Sequence, residues 1–220
     1  MNGEFIPIDK SVNEKIENCG SSFFLNRTDI ILENNDKSKE NTHEQIYDNA
    51  IKKNAIYQTM IINKKKIEIY QFKTFPKNYL NSVYELLSEE LSEPYNIFLL
   101  KTILKNYSEI ALMSLFDEKC VGTVISKIST KCKNDDEPVT FGYICMIAVH
   151  KSIKGCGSYL LNESIKLMQN LYGVNEVHLE AEATNNPTLR FYEKNGFIRI
   201  KRKPYYYLSG VDAFKLKKKL

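Results

Sequence analysis

The stretch VTFGYICMIAVHKSIKGCGSYLLNESIKLM (Val139–Met168) joins two periodicities. Val139 to Val149 is a near-continuous apolar run, which suits a central strand covered on both faces. After the glycines, Leu160, Leu161, Ile165, Met168, Leu171 and Tyr172 recur at helical spacing, and Gly173 ends the pattern. Gly155-Cys156-Gly157 sits at the junction. Small residues opening a helix let backbone N–H groups approach phosphate oxygens, with the helix dipole assisting. Lys151 and Lys154 lie alongside. On its own, Gly-x-Gly is equally an ordinary tight turn. No Gly-x-x-x-x-Gly-Lys-[Ser/Thr] occurs, and Leu160 stands where a dinucleotide-binding fingerprint needs its third glycine.

Working outward, KIEIYQFK alternates as a strand. NYLNSVYELLSEEL places Leu80, Val83, Tyr84, Leu87 and Leu91 on one helical face, and Pro94 interrupts before a second helix in YNIFLLKTILKNY. EIALMSLF and KCVGTVISKIS flank Asp117-Glu118 as a hairpin. On the C-terminal side, EVHLEAEAT is a strand with His178, Glu180 and Glu182 on one face and Val177, Leu179, Ala181 and Ala183 on the other. NPTLRFYEKN is a short helix with Asn186 as candidate N-cap, Pro187 at its first helical position and Gly196 as its stop. FIRIKRKPYYYL and VDAFKLKKK are the last two strands. The order β-α-α-β-β-β-α-β-α-β-β predicts an α/β fold, a mixed sheet with helices on its faces.

The chain has 220 residues and a net charge of +4. Residues 1–65 hold 9 Lys/Arg, 10 Asp/Glu and ten Asn; the remainder holds 22 Lys/Arg against 17 Asp/Glu. This divides the chain into a polar, low-complexity, disordered extension (1–65) and a folded domain (66–220). The mild basicity suits a small anionic ligand and falls short of a nucleic-acid binder. Five scattered Cys without Cys-x-x-Cys, and three His without ligand spacing, point to reduced thiols, no metal site and a cytoplasmic setting. The longest strongly apolar run, IALMSLF, is too short to span a membrane.

The element order, the strand–Gly-x-Gly–helix unit and NNPTLRFYEKNGF resemble the GNAT-type N-acetyltransferases. LSEPYNIF, GYICMIAV, VHLEAEATNNPTLRFYEKNGF and YYLSGVDAFKLK are similar to the branch formed by catalytic subunits of the NatC N-terminal acetyltransferase. The resemblance covers about Leu91–Leu220. It implies a mostly antiparallel seven-stranded sheet with about four helices, splayed between its central strands. It implies acetyl-CoA as co-substrate, without a metal, and acetyl transfer to the α-amine of proteins beginning with Met and a bulky apolar residue. It implies auxiliary NatC-type subunits and ribosome association as well. Within that frame Glu180 is the base, with Glu182 second, and Tyr192 is the acid. Met146, Ile147, Ala148 and Val149 hold the pantetheine arm together with Asn185. Lys154, Gly155, Cys156, Gly157 and Ser158 hold the pyrophosphate. Glu93, Pro94, Tyr95, Met146, Tyr206 and Tyr207 receive the peptide. Read from the residues alone, Glu180 is equally a solvated strand glutamate, Tyr192 a core aromatic, and Asn185 a helix cap. Ser152 departs from the pattern, because the family carries Arg or Gln three positions before the first glycine. Two rivals stay open: an acetyltransferase for small amines or lysine, and a non-catalytic GNAT-fold interaction subunit.

Overall fold

The computed structural model of the chain describes residues 56–62, 64–74, 79–131 and 138–220. Its elements run β1 (Ile56–Ile62), β2 (Lys65–Gln71), α1 (Leu80–Glu90), α2 (Ile97–Tyr107), β3 (Leu112–Phe116), β4 (Lys119–Lys131), β5 (Val139–Val149), α3 (Cys156–Tyr172), β6 (Glu176–Glu182), α4 (Asn186–Lys194), β7 (Ile198–Lys203) and β8 (Ala213–Lys219). The strands form one sheet in the order β1-β2-β3-β4-β5-β6-β8-β7. Every pairing is antiparallel except β5 with β6.

The fold class is the expected α/β one, with eight strands among the described residues where seven were expected. The additional strand is β1, which pairs with β2 ahead of the expected start at Lys66. Its sequence, IYQTMII, gives no clean alternation, and an edge strand buries little. The reading of the segment before Ile56 lies outside the described residues.

Two cores sandwich the sheet. On one face Val83, Leu86 and Leu87 of α1 and Leu100 and Ile103 of α2 pack on Met113, Ile125, Met146 and Ala148. On the other, Leu160, Ile165 and Met168 of α3 and Leu189 and Tyr192 of α4 pack on Val124, Ile144, Val177, Leu179 and Leu216. Asn96 caps α2, its side chain accepting the Leu99 N–H at 2.9 Å. At α4 the cap is Asn185 rather than Asn186: its side chain accepts the Thr188 N–H at 3.1 Å, which leaves Asn186 as the first helical residue before Pro187. Leu171 and Tyr172 keep the helical spacing of α3 but are exposed, because they fall in the last turn before the left-handed Gly173.

A bulge in β5 decides the site. The β4–β5 register runs Ile125↔Met146 and then Ser126↔Ile144, so Cys145 is the extra residue. Side chains beyond it change face. Ile144 joins the α3 core, whereas Met146 and Ala148 join the α1–α2 core. A bulge also adds local twist. The parallel ladder to β6 consists of Gly142↔Val177 and Tyr143↔His178 and goes no further. Past Tyr143 the two central strands part, and a cleft opens between them.

Candidate active site

The cleft is a cavity of about 620 Å³. Its walls are β5 from Tyr143 to Val149, β6 from Glu180 to Glu182, the α1–α2 turn with Glu93 and Tyr95, Gly157 of α3, Asn185 and Tyr192 at α4, and Tyr206 and Tyr207 after β7. Twelve expected residues therefore meet around one space: Met146, Ile147, Ala148, Val149, Gly157, Asn185, Tyr192, Glu180, Glu93, Tyr95, Tyr206 and Tyr207. Pro94, Lys154, Gly155, Cys156 and Ser158 do not line it. Lys154 is exposed. Cys156 is fully buried, with its thiol donating to Ser114 Oγ at 3.4 Å. Burial pushes that thiol's pKa up, against the Ser114 hydrogen bond, which lowers it.

Toward α3 the cavity offers backbone. From Ile144 to Val149 the cleft side of β5 has no strand partner among the described residues. A flexible arm with amide groups fits there as an extra strand does. Gly155 caps α3 with φ 95°, a left-handed conformation suited to glycine. The Tyr159 N–H closes on the Gly155 carbonyl at 3.4 Å. The N–H groups of Cys156, Gly157 and Ser158 precede that bond and lack intrahelical partners. A Cβ added at Gly157 would stand 3.5 Å from the Phe191 ring and 3.6 Å from Val149, so the glycine keeps this wall low. These features fit an acyl-pantetheine with a pyrophosphate. The Ser152 hydroxyl lies 2.8 Å from His150 Nδ1 within the turn.

Toward the α1–α2 face the cavity offers ionisable groups. Glu180 Oε1 lies 2.7 Å from Lys203 Nζ, and Oε2 accepts from the Tyr143 hydroxyl. The carboxylate is 5% exposed. Burial first, and then Glu180, raise the pKa of the Tyr143 phenol, so Tyr143 is a hydrogen-bond donor and not a base. Burial likewise raises Tyr95, with smaller contributions from Cys145, Tyr206 and Glu180. Glu182 accepts from the Ser92 hydroxyl. Tyr192 is 6% exposed and packs edge-on against Phe191 and Phe197. Its hydroxyl has no hydrogen-bond partner among the described residues, and it lines the cavity. Burial alone raises its pKa and keeps it protonated.

Glu93, expected at the peptide, lines the cavity, and its carboxylate accepts the backbone N–H groups of Leu208 and Ser209, at 3.0 and 3.1 Å. It joins the two loops that flank the cavity mouth. The tyrosines at that mouth leave the sheet sooner than expected. β7 ends at Lys203, since Pro204 has no N–H to continue a ladder, and Tyr205 turns with φ 49°. Sequence reasoning missed Tyr143, Lys203 and Ser92. The available signal for Tyr143 was its place on the apolar strand, but only the β5–β6 register brings it beside Glu180.

The chain matches the family model of the GNAT acetyltransferases over residues 80–197. It is 40% identical over 144 residues to N-alpha-acetyltransferase MAK3 of Arabidopsis thaliana, covering 64% of this chain and 72% of that one. It is 37% identical over 139 residues to human N-alpha-acetyltransferase 30, covering 61% of this chain but 36% of the longer human protein. Among solved structures, a chain of the NatC complex bound to Gag peptide and CoA superposes with a TM-score of 0.62 at 29% identity, covering 70% of this chain and 98% of that one. The chain belongs to the GNAT acetyltransferase family, and within it to the N-alpha-acetyltransferases of the NatC catalytic-subunit type.

Proposed function

We propose that the protein transfers acetyl from acetyl-CoA to the α-amine of proteins that begin with Met followed by a bulky apolar residue. The observation that carries this reading is one cavity passing through the sheet. It has Glu180 under Tyr143 at one end and the unpartnered Tyr192 hydroxyl along its wall. Two tyrosine-bearing loops joined by Glu93 stand at its mouth.

Acetyl-CoA supplies the activated thioester. The free edge of β5 receives the pantetheine, with the Ile147 N–H facing the acetyl carbonyl and Asn185 beside the arm. The N–H groups at the start of α3 receive the pyrophosphate, with Lys154 at their rim. An N-terminal α-amine has a pKa near ~8, so a neutral acceptor needs only modest help. Glu180 accepts the amine's proton through a bridging water. Tyr192 gives its hydroxyl proton to the departing sulfur. Tyr143 and Lys203 hold the Glu180 carboxylate in place, and Tyr95, Tyr206 and Tyr207 hold the peptide backbone. Auxiliary subunits of the NatC type, ribosome association and a cytoplasmic setting belong to this proposal.

The test is an acetylation assay with acetyl-CoA over peptides that differ at residue 2. Met-Leu, Met-Ile and Met-Phe peptides should exceed Met-Asp and Ser-Leu peptides in kcat/KM by at least about tenfold. Faster transfer to a polyamine or an internal lysine would overturn the proposal.

A further inference from the structure

The sheet face that carries Glu180 continues past the cavity as a bed of lysines. Residues opposite one another on neighbouring strands point the same way. Glu180 is paired with Lys215 and His178 with Lys217. Lys215 is paired in turn with Lys201, and Tyr143 with Lys127. Lys203 and Lys131 flank these rows, and Lys219 stands opposite Glu176 at the far end.

The three glutamates of β6 on this face are already engaged, Glu176 with Lys217 and Glu180 with Lys203, each at 2.7 Å, and Glu182 with the Ser92 hydroxyl. Among the described residues no carboxylate pairs with Lys127, Lys131, Lys201 or Lys215. Two of these ammonium groups stand over rings instead. Lys127 Nζ lies 5.3 Å from the Tyr143 ring centroid, and Lys215 Nζ lies 5.9 Å from that of Phe141. The α1–α2 core on this face draws its buried residues from β2 to β5 and none from β6, β7 or β8. The lysine rows are thus outside that core.

We propose that this face is a subsite for acidic side chains of the acceptor, from about its third residue onward. The proposal rests on the reading that an α-amine is acetylated beside Glu180. Its geometry follows from the sheet. Strands lie about 4.8 Å apart, and two residues along a strand advance about 7 Å. A chain anchored by its amine near Glu180 reaches Lys215, Lys201 and Lys217 with side chains about two to four residues downstream. Charge complementarity names the side chains as Asp and Glu. A peptide is favoured over a nucleic acid because the rows start at the cavity wall and are interrupted by Glu176 and Glu180. Lys217 is also 24% exposed in its side chain, within reach of a single carboxylate but recessed from a phosphate backbone.

The test uses the full chain and Met-Leu peptides with Glu, Gln or Lys at positions 4 to 6. The Glu series should have kcat/KM about five- to tenfold above the Gln series at low salt, with the advantage lost near 0.5 M salt. The double variant Lys131→Glu with Lys201→Glu changes two exposed residues away from the cavity. It should abolish the Glu advantage and leave the Gln series unchanged. Equal rates for Glu and Gln series, or an advantage that survives the double variant, overturns the proposal. Single-stranded RNA that binds the wild type but not the double variant, with no peptide discrimination, overturns it in favour of a nucleic-acid surface. Turnover of the Gln series reads the acetyltransferase proposal separately. Fluorescence anisotropy of the same labelled peptides gives the Glu-to-Gln ratio whether or not turnover is seen.

Discussion

Glu93, in the turn after α1, accepts the backbone N–H of Leu208 at 3.0 Å and that of the adjacent Ser209 at 3.1 Å. One carboxylate therefore joins the two loops at the cavity mouth, which lie 115 residues apart in the chain. Charge-assisted hydrogen bonds are strong when buried, but this pair is exposed, and solvent screening reduces it to about 1 kcal/mol. Glu93→Ala should raise the peptide KM about three- to tenfold and leave the acetyl-CoA KM within twofold. Steady-state kinetics with each substrate varied in turn checks this. A rise in both KM values would show that the clamp supports the whole cavity rather than its mouth.

Glu180 lines the cavity with a side-chain donor on each oxygen, Lys203 on Oε1 and Tyr143 on Oε2. Glu180→Gln keeps the shape and a hydrogen bond to Tyr143 but removes the proton acceptor. Loss of a general base costs about 10² to 10⁴ in rate. The expected result is a kcat at least about 100-fold lower with peptide KM nearly unchanged. Unchanged single-turnover rates would remove Glu180 from the proposed mechanism.

Tyr192 and Tyr143 separate chemistry from stability. The Tyr192 hydroxyl has no partner among the described residues, so Tyr192→Phe should move stability by less than about 0.5 kcal/mol while kcat falls. Tyr143→Phe takes a donor from the buried Glu180 carboxylate, and should cost about 1–3 kcal/mol in urea unfolding. Equal stability losses in the two variants would contradict this assignment of partners.

Gly155 holds a left-handed φ of 95° at the start of α3, where a Cβ meets no other atom within 4 Å. Backbone strain rather than crowding decides its replacement. Gly155→Ala should cost about 1 kcal/mol and weaken acetyl-CoA binding as the first N–H groups of α3 turn away. Calorimetric titration with acetyl-CoA measures the second effect directly.

His178 gives a pH dependence. It is buried, its Nδ1 has no partner, Nε2 lies 2.8 Å from Glu176, and the ring packs 4.5 Å from Phe141. Burial lowers its pKa most; Glu176 opposes, and Lys215 and Lys217 add to the lowering. The folded state then binds fewer protons than the unfolded one. Stability should be full above about pH 6.5, fall as pH drops below it, and level off below the folded pKa. Urea unfolding between pH 5 and 7 should show this slope, and His178→Gln should flatten it.

The alternation of elements is legible in the residues alone, because hydrophobic periods of two and 3.6 residues are local properties. Val139–Val149 reads as a buried strand and Leu160–Met168 as a helix face without any tertiary information. The residues around the cavity were legible through motif resemblance as well, from Glu180 to Tyr192 and from Glu93 to Tyr207. The folded chain alone decided three other matters. The bulge at Cys145 is set by the pairing register with β4, and no local pattern encodes it. The meeting of Tyr143, Glu180 and Lys203 depends on β5, β6 and β7 lying within one sheet. Glu93 became a loop clamp because its acceptor oxygens face two backbone N–H groups. Backbone donors carry no signature in a sequence, so their partners appear only once the chain has folded.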